Sequence, residues 1–271
     1  WDRWNCPRQA FVRTRYLPAD RETAFVLAMT TAGVMHTLTR NCTMGNFENC
    51  GCDDSKLGSM AGGKNWKWGG CSENVHFGID VTKDFLEARE SGKDARALVN
   101  LHNNEAGRVA VSKTMRRLCK CHGVSGSCSI QTCWMQLGDL HSAGNFLKLQ
   151  YEKSIRVDYQ NGILRVGEVM TRSHPELSDT SLVYLEESPD YCMANSTAGV
   201  HGTRGRECSP QKGPSVSKSE SKSCKNLCRR CGLRVRRAVA EVVSSCNCKF
   251  NWCCEVKCEQ CRKRVKKHSC Y

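Results

Sequence analysis

Cysteine constrains this chain more than any other residue: 21 of its 271 residues are Cys, and 12 of these lie in residues 192–271. Thiols at that density either bind metal or pair with each other. Cys228-x2-Cys231 and Cys258-x2-Cys261 have zinc-like spacing, with Cys246-x-Cys248 nearby. Zinc sites take their ligands in fours, however. No histidine stands at the usual offsets, and adjacent Cys253-Cys254 suits a tetrahedral site badly. Two N-glycosylation sequons, Asn41-Cys42-Thr43 and Asn195-Ser196-Thr197, join the cysteine density in pointing to a secreted, oxidised protein. Disulfides are therefore expected. The odd count leaves one thiol over. Cys6, separated by 35 residues from Cys42, is the expected orphan, its partner removed by truncation of the N-terminus.

Charge is as uneven as cysteine. Residues 192–271 hold 18 Lys and Arg against 5 Asp and Glu, so nearly all of the formal net charge of +14 sits there. The first region can build a hydrophobic core, whereas the second is too polar to do so and must be stapled. The expected fold is α+β. A helical N-terminal domain (residues 1–170) carries a disulfide-stapled hairpin at 119–133. A linker covers 171–181, and a cysteine-rich domain of β-hairpins and loops covers 182–271. No run of eighteen apolar residues spans a membrane, and no signal peptide opens the chain.

Local signals fill in the elements. Asp20 caps a helix whose apolar positions include Phe25, Ala28, Met29, Ala32, Met35 and Leu38. Cys42, Cys50 and Cys52 sit in a loop rich in Asn, Asp and Gly, and Lys64–Gly70 (KNWKWGG) is an aromatic loop. A helical stretch is expected over 81–118, interrupted at Ser91-Gly92, and another from Trp134 to about 160. Residues 161–180 read as polar linker, and Leu182–Leu185 as a short strand.

The segment Cys119–Cys133 contains four cysteines in fifteen residues. They can nest as Cys119–Cys133 outside and Cys121–Cys128 inside, giving a narrow hairpin with His122–Ser127 at its tip. Gly123 and Gly126 would supply the positive φ such a tip needs. The tip presents one hydroxyl, Ser125, to solvent. It is a turn-filling serine, an acceptor for covalent modification, or a nucleophile with His122 as base. The last would make the chain a secreted hydrolase, but GVSGS lacks the GxSxG spacing and no Asp is placed to orient His122.

CKCHGVSGSCSIQTCW (Cys119–Trp134) resembles the signature of the Wnt family of secreted, lipid-modified signalling proteins. The likeness extends to RWNC (Arg3–Cys6), GCDD (Gly51–Asp54), WKWGGCSENVHFG (Trp66–Gly78), LHNNEAGR (Leu101–Arg108), SPDYC (Ser188–Cys192) and CNCKFNWCCEVKCEQC (Cys246–Cys261). It covers essentially the whole chain, and several segments are worded most like the subgroup numbered eight. The resemblance implies a ligand, not an enzyme. Ser125 would carry a monounsaturated acyl ester, added by the membrane acyltransferase Porcupine. The hairpin would be the family's thumb, placing that lipid and residues His122, Gly123, Val124, Ser125 and Gly126 against the Frizzled cysteine-rich domain. A finger hairpin at 246–261 would grip the same receptor domain through Phe250, Asn251, Trp252, Cys253 and Cys254. An LDL-receptor-related co-receptor would be recruited as well. The implied pairs are Cys42–Cys50, Cys52–Cys71, Cys119–Cys133, Cys121–Cys128, Cys192–Cys231, Cys208–Cys224, Cys228–Cys270, Cys246–Cys261, Cys248–Cys258 and Cys253–Cys254, with Cys6 unpaired. Where this chain has Cys228-Arg-Arg-Cys231, the family often has adjacent cysteines. No metal or other cofactor is implied.

The basic runs Arg234–Arg237 and Arg262–Lys267 suit anionic partners. A secreted, disulfide-stapled chain rarely meets nucleic acid, so heparan sulfate is the expected polyanion. A glycan-binding matrix protein is the alternative function.

Overall fold

The computed structural model describes residues 18–59, 66–88, 90, 94–166, 177–196, 200–209, 213, 216, 218–252 and 255–271. They divide into two units between Ser188 and Pro189. Cys6, Cys253 and Cys254 lie outside the described residues.

The first unit is organised by α1 (Arg21–Thr43). Its N-cap is Asp20, whose carboxylate accepts from the Thr23 amide at 2.9 Å. The helical expectation for 81–118 resolves into two helices. α2 (Val75–Glu87) is capped by Asn74 and α3 (Ala95–Lys113) by Asp94, each side chain accepting from the amide three residues on. Ser91 and Gly92 fall between them, outside the described residues. The chain stops being helical at Thr114 and enters strand β2 (Arg116–Cys121), so the last residues expected as helix are strand.

A second correction concerns Trp134 to 160. Trp134 belongs to β3 (Gln131–Gln136), which pairs with β2 (Arg116–Cys121) and with β1 (Trp66–Trp68). Only α4 (Leu140–Glu152), capped by Asp139, is helical there. It is followed by β4 (Ile155–Gln160), which folds back through Asn161-Gly162 onto β5 (Ile163–Val166). Asn161 and Gly162 take φ of 52° and 81°, the left-handed pair that a two-residue hairpin turn requires. This hairpin replaces the first part of the expected linker.

The core of this unit joins α1, α3 and α4 through Ala24, Ala28, Ala32, Met35, Ala106, Ala110, Val111, Ala143 and Leu147, with Leu182. Small residues let the helices approach closely: a Cβ at Gly107 would lie 2.3 Å from the Ala28 carbonyl oxygen. The short strand β6 (Val183–Tyr184) pairs with β4. The buried Asn103 side chain both donates to and accepts from the Val183 backbone, each at 2.9 Å. That clamp keeps residues 182–188 in the first unit. The division therefore falls later than the expected linker at 171–181, of which residues 171–176 lie outside the described residues.

The second unit has β7 (Ala194–Asn195), β8 (Val200–His201), β9 (Glu207–Cys208), two short helices α5 (Lys218–Ser221) and α6 (Ser223–Leu227), and a long ribbon. Its buried cluster is largely sulfur: Cys208, Cys228 and Cys270 with Leu227, flanked by Cys224, Leu233 and Val235. Cys192–Cys231, Cys208–Cys224 and Cys228–Cys270 are bonded. Each such bridge contributes about 2–4 kcal/mol, which offsets the missing apolar core. The ribbon pairs β10 (Val235–Asn251) with β11 (Glu255–Cys270), and β9 adds briefly to β11 at its base.

Candidate functional site

The zinc alternative fails on connectivity. The cysteines of both CxxC pairs bond elsewhere: Cys228 to Cys270, Cys231 to Cys192, Cys258 to Cys248 and Cys261 to Cys246. Among the described residues no cluster of His, Cys, Asp and Glu is arranged to hold a metal ion.

The hairpin at 119–133 is closed twice. Cys119 and Cys133 are register partners across β2 and β3, and their bridge spans a Cα separation of 4.0 Å. Cys121–Cys128 closes the tip. The His122 amide donates across the hairpin to Ile130, and inside the loop Gly123 donates to Ser127, Gly126 to Gly123 and Ser127 to Val124, all at 2.8–3.1 Å. These bonds fix a single turn of 3-10 helix over Val124–Gly126.

The two glycines act differently from expectation. Gly126 has φ of 77°, as expected, but Gly123 has φ of −68°. Gly123 is required for space: a Cβ there would lie 2.1 Å from Ser127 Oγ, 2.2 Å from Ser129 Oγ and 2.6 Å from the Ser127 carbonyl oxygen. Ser125 itself takes the left-handed conformation, with φ of 57°. A non-glycine residue rarely adopts that region unless its surroundings impose it. Here two bridges and four amide bonds do so. The result holds Ser125 exposed at the tip, next to Val124, which is 89% exposed. The Ser125 hydroxyl and the His122 ring make no side-chain hydrogen bond among the described residues. The nucleophile–base pairing that a hydrolase needs is absent from this arrangement.

The base of this hairpin is braced by residues beyond the expected site. On β1, Trp66 and Trp68 meet edge to face at 5.1 Å between ring centroids. The Arg117 guanidinium lies 4.7 Å over Trp66 and the Lys56 ammonium 5.2 Å over Trp68. Cys52–Cys71 ties down the loop that delivers β1. Gly69 lets the chain pass β3, since a Cβ there would lie 2.7 Å from Thr132 Cγ2. The alternation Trp66-Lys67-Trp68 was the available signal for a strand of this kind.

The finger is a ribbon with one irregularity. Register partners run regularly from Val235↔Cys270 to Cys246↔Glu259, then shift by one residue before Lys249↔Lys257. Asn247, with φ of 48°, is the bulged residue, and its side chain donates to Glu259 at 2.8 Å. Asn tolerates the left-handed region, which suits a bulge. Because strand side chains alternate, the extra residue moves every later β10 side chain to the other face. Cys248–Cys258 therefore lies on one face of the ribbon and Cys246–Cys261 on the other. Phe250 and Val256 share the face of Cys248–Cys258. At the tip Trp252 is 95% and Phe250 66% exposed, and Asn251 is exposed beside them. Neither aromatic is a core residue.

The two sequons differ. Asn195 is exposed on β7. Asn41 is in the last turn of α1, where its amide donates to Thr37 and its carbonyl accepts from Asn46. The neighbouring Cys42 is bonded to Cys50. No described helix is long and apolar enough to cross a membrane.

Comparison with known proteins agrees with these features. A family model described as the Wnt family matches residues 1–271. The chain is 53% identical over 279 residues to protein Wnt-8c of Gallus gallus, covering 100% of this chain and 78% of that protein. It is 51% identical over 279 residues to protein Wnt-8a of Homo sapiens, covering 100% and 79% respectively. In a solved structure of human WLS in complex with WNT8A, a chain matches with a TM-score of 0.71 and 47% identity, over 100% of this chain and 86% of that one.

Proposed function

The chain belongs to the Wnt family, and on that premise we propose that it binds the Frizzled cysteine-rich domain through an acylated Ser125 and through the aromatic tip of the finger. Proteins of this family are secreted signalling ligands, and the chain is such a ligand rather than an enzyme. The observation that carries the receptor reading is the hairpin tip, where an exposed serine is held in a left-handed conformation by two bridges. A hydroxyl so held is accessible to an acyltransferase before secretion, and the ester it receives projects away from the protein.

The energetics fit a transferable lipid. Burial contributes about 0.8 kcal/mol per CH2, yet a single acyl chain gives only marginal membrane binding. A monounsaturated acyl group on Ser125 would hold the ligand at a membrane reversibly and add strongly to affinity when seated in an apolar receptor groove. His122, Gly123, Val124 and Gly126 would line that contact. Phe250, Asn251 and Trp252 form the second contact, with Cys253 and Cys254 beside them. Aromatic side chains on a covalently held tip are anchors of the hot-spot type, because little conformational entropy is lost on docking. An LDL-receptor-related co-receptor joins the complex by the same family reading. Heparan sulfate binds the basic ribbon and places the ligand in the extracellular matrix as well as the extracellular space. Nucleic acid is not a partner.

The test is the intact mass of the non-reduced protein secreted from cells with a working acyltransferase, beside Ser125→Ala, followed by capture on immobilised Frizzled cysteine-rich domain. The expected result is one acyl group of excess mass, lost in Ser125→Ala together with most of the capture. Equal masses and equal capture for the two proteins would overturn the reading.

A further inference from the structure

Two disulfides of the second unit touch each other. Cys208–Cys224 and Cys228–Cys270 are separate bridges, yet Cys208 Sγ and Cys228 Sγ lie 3.8 Å apart. The fold gives the reason. Cys224 is in α6 and Cys228 caps it, and the Cys228 amide donates to the Cys224 carbonyl at 3.1 Å. Side chains at that spacing stack on one face of a helix, one turn apart. Cys208 and Cys270 come from the neighbouring strands β9 and β11. Cys208 is the register partner of His268, two residues before Cys270. Strand alternation therefore places Cys208, His268 and Cys270 on one face of the sheet. A helix turn bearing two cysteines thus meets a strand pair bearing two more, in one buried cluster. Cys228 has two strand sulfurs beside it: Cys270, to which it is bonded, and Cys208, to which it is not.

Access to the four sulfurs is unequal. Cys208, Cys228 and Cys270 are buried, whereas Cys224 is half-buried. An external thiolate therefore meets Cys224 first. The sulfur it displaces is Cys208, the one in contact with the second bridge. His268 stands at the same place. It is 8% exposed, and its Nδ1 is buried without a hydrogen-bond partner among the described residues. Buried polar atoms are rarely left so. A thiolate on Cys208 or Cys270 would supply the missing acceptor for an N–H at that position.

We propose that these four cysteines form an exchange site for a low-molecular-weight thiol, entered at Cys224, which converts Cys208–Cys224 and Cys228–Cys270 into Cys208–Cys228 and Cys224–Cys270. The site is independent of the receptor reading above. The external thiolate attacks Cys224 Sγ. A mixed disulfide forms, the Cys208–Cys224 bond breaks, and its electron pair stays on Cys208. The Cys208 thiolate attacks Cys228 Sγ across 3.8 Å. Cys208–Cys228 forms, Cys228–Cys270 breaks, and the electron pair passes to Cys270. The Cys270 thiolate then attacks Cys224 Sγ of the mixed disulfide, closes Cys224–Cys270 and returns the external thiolate. Nothing is oxidised or reduced overall, and the thiol is a catalyst. The outcome is a change of anchor. The end of β11 is held by Cys224 instead of Cys228, one helical turn or about 5.4 Å along α6. The ribbon is reset on its base with no bridge lost.

The test uses the secreted protein, folded and at fixed pH, with a sub-stoichiometric amount of reduced glutathione. The reaction is quenched with acid and N-ethylmaleimide, and tryptic peptides are mapped without reduction. Cleavage at Lys212, Lys225 and Lys267 places the four cysteines on four peptides. Glutathione is expected first on Cys224. Cys208–Cys228 and Cys224–Cys270 peptides then accumulate together while total free thiol stays constant. Cys192–Cys231, whose Cys231 sulfur lies 3.5 Å from Thr203 Oγ1, is the reference bridge and is expected to keep its pairing. Cys270→Ser gives a second reading without added thiol. Its free Cys228 is expected to compete with Cys224 for Cys208, so that both Cys208–Cys224 and Cys208–Cys228 are recovered. His268→Ala is expected to slow the exchange about tenfold or more, the scale of one lost hydrogen bond to a charged group. His268→Asn, which keeps an N–H near the Nδ1 position, is expected to recover much of the rate. Native pairs alone in the treated protein, or an opened Cys208–Cys224 beside an intact Cys228–Cys270, would overturn the proposal. Scrambling that draws in Cys192 and Cys231 at the same rate would overturn it as well. Cys228 recovered wholly alkylated in Cys270→Ser would refute direct transfer from Cys208, and equal rates for wild type and His268→Ala would refute the role of His268.

Discussion

Replacing Gly123 by alanine isolates the device that shapes the acyl-acceptor tip. Its φ of −68° is open to any residue, so the substitution carries no torsional penalty. The whole cost is steric. The added Cβ meets Ser127 Oγ at 2.1 Å and Ser129 Oγ at 2.2 Å, which rotamer changes can relieve, and the Ser127 carbonyl oxygen at 2.6 Å, which they cannot. That oxygen is held in place by accepting from the Gly123 amide itself at 2.8 Å. Overpacking of this kind costs about 1–3 kcal/mol. The strain falls within the loop closed by Cys121–Cys128, so breaking that bridge releases it. For a two-electron couple ~30 mV corresponds to 1.4 kcal/mol, so Cys121–Cys128 is expected to become easier to reduce by roughly 20–65 mV. Equilibration in glutathione buffers, followed by differential alkylation and peptide mass spectrometry, reads this bond by bond. Cys119–Cys133, in the regular part of the hairpin, serves as the internal reference and is expected to move little. Adding Ser127→Ala and Ser129→Ala removes the two hydroxyl clashes but leaves the backbone one, so partial recovery is expected. An unchanged potential in Gly123→Ala, or full recovery in the triple variant, would refute the assignment of Gly123 to backbone crowding.

Three further outcomes are expected. Trp252→Ala, at a position 95% exposed, should leave secretion unchanged and weaken capture by Frizzled cysteine-rich domain about 30-fold or more, the scale of a hot-spot residue worth 2 kcal/mol. Failure to secrete would make Trp252 structural. Gly107→Ala should lower the Tm of the first unit by several degrees, because its Cβ would lie 2.3 Å from the Ala28 carbonyl oxygen and α1 and α3 must separate. An unchanged melting curve would show that the helices do not pack this closely. His102 gives the first unit an acid sensitivity. Burial, opposed by the hydrogen bond to Ser181 and the charges of Asp179 and Glu105, holds its pKa below the ordinary 6.5. The unfolded chain takes up a proton near that value while the folded one resists it. The contribution is therefore complete above about pH 6.5 and is lost as pH falls below it toward the folded pKa. His102→Gln should lose less stability than the wild type between pH 7.5 and 5.5 in denaturant titrations, and identical losses would refute this role.

Much of this architecture can be read directly from residue types, because some signals are local. Asp20 before an apolar helical period marks α1, and the four cysteines of 119–133 mark a hairpin by their spacing alone. Where structure and expectation differ, the sequence still carries a local signal. Gly138-Asp139 breaks the chain and caps α4 through Ser142, which separates a strand from a helix within what reads as one apolar run. Asn161-Gly162 is a strong hairpin turn, yet in a polar stretch it read as linker. The remaining features depend on tertiary contact. Asn103 cannot be seen from sequence to serve as a partner for β6, because its amide completes a strand 80 residues away. The steric need for Gly123 arises from Ser127 and Ser129 folding back over it. The bulge at Asn247 becomes legible only once the pairing is known: Cys246 and Cys248 would share a strand face whereas Cys258 and Cys261 would not, so forming both bridges requires one extra residue in β10. Most of the cysteine connectivity came from resemblance, as twelve cysteines in one region admit too many pairings for spacing to choose among them.

The ribbon of the second unit owes its shape to covalent bonds and backbone pairing, with both faces open to solvent over most of its length. Few of its side chains are needed for folding. Substitutions at Phe250, Trp252, Val256 or along the basic run Arg262–Lys267 therefore carry little thermodynamic penalty, whereas loss of Cys246, Cys248, Cys258 or Cys261 removes the frame itself. Such a scaffold separates the residues that select a partner from those that keep the protein folded. A lineage of related ligands can diversify receptor and matrix preference on this finger without a compensating change elsewhere in the molecule.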